Sequence, residues 1–336
     1  MTYSKFLAGL VIFSAFGFLL WAGGYAYMST PMTQPGRAIE VTINPGWNFA
    51  RISQLLEDQG VIDAAWKFRL LARVKQKTGS VQAGEFRLHS GWSPEKILQT
   101  LVSGRAILYT FSIPEGLPWW EVATNAGETP LTTRERFAAA LADKAFLDSW
   151  DIPTDHAEGF LFPETYFLPR PGGNDPYPLL RAMFRQFWDV AKNQLWPEGL
   201  PDSAEIVRTV TLASLVEKET ALPEERARVA GVFANRLERG MRLQCDPTVI
   251  YGIGPEFDGN LRRSDLQNAT NPYNTYRHAG LPPGPICSPG LGALQATLHP
   301  EDHEYLYFVA TQNGGHHFSR TLREHNRAVR RYQLGQ

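Results

Sequence analysis

Cysteine is scarce in this chain: two residues in 336, Cys245 and Cys287, neither at metal-ligand spacing. An excess of basic residues is missing as well. The formal net charge of -1 provides no cationic footprint for nucleic acid. No His-Glu-x-x-His occurs, so His299, His303, His316 and His317 do not compose a zinc signature, and neither metal nor cofactor is expected. A Gly-x-Ser-x-Gly nucleophile elbow and a phosphate-cradling glycine loop are also lacking. Ser93-Pro-Glu-Lys96 and Lys77-Thr-Gly79 match pieces of the penicillin-binding signature, but in reversed order and with no Ser-x-Asn element between them. Ser93 reads instead as a helix N-cap, with Pro94 in the first helical position.

What is present begins with a long apolar run. Phe6 to Tyr27 is 22 residues without a charge, enough to cross a bilayer as one helix. Lys5 and the amino terminus precede it, which places residues 1–5 in the cytoplasm and the rest of the chain outside it. A cleaved signal peptide, with Gly24-Tyr25-Ala26 as the cleavage site, is the alternative, although its apolar region would exceed the usual length. Residues 28–38, with two Pro and several small polar residues, read as a linker. The total length suits two or three domains. Aromatic residues make up 12%, with nine Trp, which fits a carbohydrate cleft as well as a core.

After the linker one pattern appears twice. In residues 39–107, Glu40–Ile43 is predicted as a strand, Phe49–Asp58 and Ala64–Lys75 as helices, Ala83–Leu88 as a strand and Ser93–Val102 as a further helix. In residues 108–198, Tyr109–Ile113 is a strand, Trp119–Ala126 and Thr133–Leu141 are helices, Gly159–Leu168 is a strand and Pro176–Trp188 a helix. The order βααβ plus helix suggests a divergent duplication. A third, α+β domain follows over residues 199–336.

The most informative stretch is Thr209-Val-Thr-Leu-Ala-Ser-Leu-Val-Glu217-Lys-Glu219-Thr220. Asp202 or Ser203 would cap a helix with Ile206, Val207, Val210, Ala213 and Val216 at helical spacing. At about 100° per residue, Glu217 and Glu219 lie roughly 200° apart, so one is expected to face inward and the other outward. Glu217 follows Leu215-Val216, an apolar wall suited to raising a carboxyl pKa, as a general acid requires. Pro223 opens a second helix ending at Gly240. Loops rich in Pro, Gly, Asn and Tyr come next. They contain Cys245 and Cys287, which fit either one disulfide or two buried thiols.

The segments LASLVEKET, VFANRLERGMRLQCDPTVIYGIG, NPYNTY, GLPPGPICSPG, LHPEDHEYLYFV and GGHHFSRTLREHN together resemble, in order and spacing, the YceG-like (MltG) endolytic murein transglycosylases. Cys245 and Cys287 depart from the Thr or other small residue expected there, and Ser288 from a common Asn. The resemblance implies that Glu217 is the catalytic carboxylate, and that Asn235, Asp246, Thr248, Tyr251, Asn271, Tyr273, Asn274 and Tyr276 line a glycan cleft. Glu158 and Glu164 of EGFLFPETY, with Glu219, become possible supporting carboxylates. It further implies an α+β protein with an inner-membrane anchor, periplasmic LysM-like modules and a catalytic domain. Peptidoglycan would be its substrate, with glycan synthases or penicillin-binding proteins as partners. Two alternatives remain open: a non-catalytic peptidoglycan scaffold, and a muramidase using a second carboxylate such as Asp246 or Glu164.

Overall fold

The computed structural model describes residues 15, 17–19, 22–31, 35–44, 46–104, 106–312 and 314–334. Residues 1–5 and most of the expected membrane span, 6–27, lie outside this set; residues 22–29 are helical. Among the described residues no helix is long and apolar enough to cross a membrane. The described chain is α+β and divides into two compact units, Met1–Tyr109 with Pro169–Gly173, and Thr110–Leu168 with Asn174–Gln336.

The first unit contains β1 (Ala38–Ile43), α1 (Phe49–Asp58), α2 (Ala65–Val74), β2 (Gly84–His89) and α3 (Pro94–Ser103). β1 and β2 pair antiparallel, with Val41 opposite Phe86 and Ile43 opposite Gly84. Alternation along the strands sends Val41, Ile43, Phe86 and Leu88 into one core. Phe49, Ile52, Leu56, Phe68, Leu71, Ile97 and Leu101 complete it from the helices. Ser93 caps α3: its Oγ accepts the Lys96 N–H at 3.3 Å, and Pro94 sits at the first helical position. The Ser-x-x-Lys fragment is therefore a helix start. Ser93→Ala should cost about 1 kcal/mol in urea unfolding, the worth of one N-cap bond.

The chain passes between the units within β3 (Leu108–Ser112) and β4 (Thr165–Pro169), which pair with each other. Between them run α4 (Trp119–Gly127), α5 (Arg134–Ala140) and α6 (Lys144–Asp148), three helices where the sequence pattern predicts two. Asp143 starts the additional one, accepting from the Phe146 N–H at 3.2 Å and from the Tyr177 hydroxyl at 2.6 Å. The strand expected from Gly159 begins only at Thr165. Gly159 has φ +85°, which breaks extended geometry and turns Phe160 and Leu161 into the core.

The second unit continues with α7 (Tyr177–Val190), α8 (Ser203–Glu219) and α9 (Pro223–Glu238). Next come α10 (Asp246–Ile253), α11 (Arg263–Gln267), α12 (Leu291–Leu298), β5 (Tyr307–Ala310), β6 (His316–Ser319) and α13 (Leu322–Tyr332). Asp202 caps α8 through the Glu205 N–H at 2.9 Å, Pro223 opens α9, and Gly240 at φ +64° follows its end. Every residue of α8 from Thr209 to Val216 is buried, because α9 and α12 both pack on it. Cys245 and Cys287 are buried free thiols with no bridge between them.

Candidate active site

Glu217 lies in the last turn of α8 with a side chain only 6% exposed. One carboxylate oxygen accepts the Gly290 N–H at 3.0 Å, and the other meets the Arg226 guanidinium at 3.3 Å. The turn Thr220–Leu222 followed by Pro223 folds α9 back, which brings Arg226 to a carboxylate nine positions earlier. Gly290 is placed by pairing between two loops. The Gly116 N–H donates to the Ser288 carbonyl at 2.9 Å, and the Ser288 N–H returns a bond to Leu117 at 2.9 Å. The same pairing sets Glu115 against Arg226 at 3.2 Å, so one guanidinium nitrogen serves both Glu115 and Glu217.

Burial pushes the Glu217 carboxyl above the usual range, against the pull of the Gly290 N–H and Arg226. A carboxyl that holds its proton more tightly than a free one, yet is aimed by two donors, suits general acid–base chemistry. Gly290 has an ordinary extended backbone, so its small size matters for space and not for conformation. A methyl group there would meet the Glu115 carboxylate at 1.9 Å. Gly290→Ala should therefore displace Glu115 from Arg226 and slow turnover, with little loss of thermal stability because Glu115 can swing toward solvent. Adding Glu115→Ala to Gly290→Ala should leave the rate no lower than in Glu115→Ala alone.

A second carboxyl is buried in the same unit. Glu158 is buried, accepts the Trp119 N–H at 2.9 Å and the Gly159 N–H at 3.3 Å, and bonds to Tyr251. Burial raises its pKa from 4.5 to about 8. Tyr251 packs between Trp120, at 5.1 Å between ring centres, and Tyr273, at 4.8 Å.

Glu219 leaves the opposite side of α8, in keeping with the helical angle, but it does not face open solvent. It lines a cavity of about 540 Å³ together with Arg236, Asp246, Tyr276, His316 and His325. Burial raises its pKa, opposed by a bond with the Cys245 thiol. In the same cavity Tyr276 donates to Asp246 at 2.6 Å. His316 is held by Glu225 at 2.6 Å, whereas its neighbour His317 is exposed against the Tyr332 ring. Among the described residues no cluster of His, Cys, Asp and Glu could hold a metal ion.

The remaining expected site residues bond mainly to their own chain. Asn235 donates to the His303 and Tyr305 carbonyls, at 2.7 and 3.1 Å. Thr248 is enclosed with Cys245 and Thr275. Asn271 braces Val249 and the Tyr273 N–H, and Asn274 donates to the carbonyls of Asp265, Leu266 and Asn268. Glu164 is exposed at the start of β4 and accepts the Thr165 N–H at 2.9 Å. The structure thus gathers Glu217, Arg226, Glu115 and Gly290 at one point and leaves Glu164 apart from it. Glu115 and Arg226 were not singled out by the sequence, in which Glu115 appears only as the middle of a Pro-Glu-Gly turn.

The α+β unit thus encloses a carboxylate at a helix end, braced by a guanidinium and a backbone N–H, with the Glu115 carboxylate on the same guanidinium. The model of the YceG-like family matches residues 41–331, and the chain belongs to that family. It is 32% identical over 317 residues to the endolytic murein transglycosylase of Bacillus subtilis strain 168, covering 88% of this chain and 84% of that one. Against the endolytic murein transglycosylase of Streptococcus pneumoniae strain D39 the identity is 29% over 364 residues, covering 97% of this chain and 64% of the relative. A crystal structure of a YceG-like protein from Listeria monocytogenes superposes with TM-score 0.57 at 30% identity, covering 87% of this chain and 99% of that chain.

Proposed function

We propose that the protein is an endolytic murein transglycosylase, a lyase that cuts peptidoglycan glycan strands internally, with Glu217 as its acid and then its base. The observation that carries this is the enclosed Glu217, aimed by Gly290 and Arg226 and holding its proton above the usual carboxyl range. Relatives named endolytic murein transglycosylase support the substrate class.

Cleavage of the bond between N-acetylmuramic acid and N-acetylglucosamine begins with proton donation from Glu217 to the bridging oxygen, which departs as an alcohol. The oxocarbenium-like carbon is then met by the C6 hydroxyl of the same muramic residue. Glu217, now a carboxylate, takes that hydroxyl proton, and a 1,6-anhydro ring closes with no water consumed. Arg226 and the Gly290 N–H hold the carboxylate between the two steps. The Tyr273 and Trp120 rings, which flank Tyr251, offer faces for sugar packing. Residues 6–27 would anchor the enzyme in the inner membrane, confining it to nascent strands beside the synthases and ending their elongation. LysM-like glycan binding by the two repeated modules belongs to the same proposal.

A muramidase is favoured by one observation, that Glu115 shares Arg226 with Glu217 and so supplies a nearby second carboxylate. Mass spectrometry of products from uncrosslinked glycan strands separates the two. Anhydro-muramic ends are expected; reducing ends would establish hydrolysis, and intact strands with binding retained would leave a scaffold.

A further inference from the structure

Helix α2 is apolar on two faces. Ala65, Phe68, Leu71 and Ala72 enter the core of the first unit, while Trp66, Leu70 and Val74 remain 61%, 53% and 69% exposed. These three are spaced four apart and form one continuous stripe. Arg69 and Arg73 border it on one side and Lys67, paired with Asp63 at 2.7 Å, on the other, and the helix itself carries no acid. An exposed apolar stripe edged with basic residues and headed by Trp is the pattern of a helix lying flat in a lipid interface.

The end of the uncharged N-terminal run meets this helix. Tyr27 and Met28 pack against the core of the first unit, and the Lys67 ammonium stands 5.5 Å from the Tyr27 ring and 5.9 Å from that of Trp66. A segment leaving a bilayer at residue 27 therefore leaves it beside Trp66. We propose that the outer face of α2 docks on the anionic headgroup layer of the membrane that residues 6–27 enter. Trp66, Leu70 and Val74 dip below the phosphates, and Arg69 and Arg73 reach up to them. The proposal rests on the reading of 6–27 as a membrane span.

The test uses the full chain reconstituted in vesicles of phosphatidylglycerol and phosphatidylethanolamine. Single environment-sensitive labels are placed at Leu70→Cys, Leu19→Cys and Gln99→Cys; the native thiols are buried and stay unlabelled. Quenching by a lipid-borne nitroxide is expected to be several-fold stronger at positions 70 and 19 than at position 99. A label at 70 open to aqueous iodide while that at 19 is reached only from lipid would overturn the docking and spare the anchor. Water access at both would overturn docking and anchor together. A label at 70 shielded from both quenchers would mean a protein partner or a second copy on this face, and would equally defeat the lipid assignment.

Discussion

Glu217→Gln is expected to lower the rate of glycan-strand cleavage by about 10³-fold, within the range of roughly 10²- to 10⁴-fold that a positioned acid–base group contributes. The amide cannot donate the proton that frees the leaving alcohol, nor take one from the attacking hydroxyl. Binding should survive, because the substitution removes no ring and no loop contact. Stability should change little: the amide oxygen can still accept the Gly290 N–H, and Arg226 keeps Glu115. Under the proposed mechanism the first step needs protonated Glu217, so activity should decline as pH rises through a carboxyl pKa held above the usual range. Removing the cation with Arg226→Met should move that alkaline limb to higher pH, since Arg226 lowers the Glu217 pKa. A Glu217→Gln protein that retained more than a tenth of parental turnover would exclude Glu217 as the proton donor.

The second large effect concerns Glu158. Its folded pKa of about 8 exceeds the ordinary 4.5 because burial disfavours the charged form. Between those values the unfolded chain has released the proton and the folded chain still holds it. The unfolded state then binds fewer protons, so stability falls as pH rises across this window and levels off above it. Each unit of separation is worth about 1.4 kcal/mol, which puts the full loss at a few kcal/mol. Glu158→Gln mimics the protonated acid and removes this dependence. It should be more stable than the parent by roughly 1–3 kcal/mol near pH 8.5, after a cost of about 1 kcal/mol for the imperfect pairing of its amide beside the Gly159 N–H. The two proteins should converge near pH 5 in thermal unfolding. Parallel curves over the whole range would mean that Glu158 is ionised in the folded protein.

Local signals were the most legible. Asp202, Pro223, Gly240 and Ser93 each act within one turn of backbone, and each sits where its chemistry places it. The opposition of Glu217 and Glu219 followed from helical angle alone. The cover over Glu219 could not: it is assembled from Asp246, Tyr276 and the hairpin at His316, brought together by folding over long sequence separations. The same holds for Glu115, which reaches Arg226 across 111 positions through a pairing of two glycine-containing loops that leaves no periodic trace. The additional helix α6 was hidden because it is five residues long and depends on a cap shared with Tyr177.

In α8, seventeen residues of aligned peptide units end at Glu219, and their summed dipole leaves partial negative charge at the end that carries Glu217. Water would screen that charge on a surface helix; here the body of the helix is dry. The backbone itself therefore disfavours the ionised carboxylate, by about 0.3–1 kcal/mol as such effects go. On the proposed mechanism, the proton that starts bond cleavage is then retained partly by the polarity of the helix, a contribution that no side-chain substitution around the site would remove.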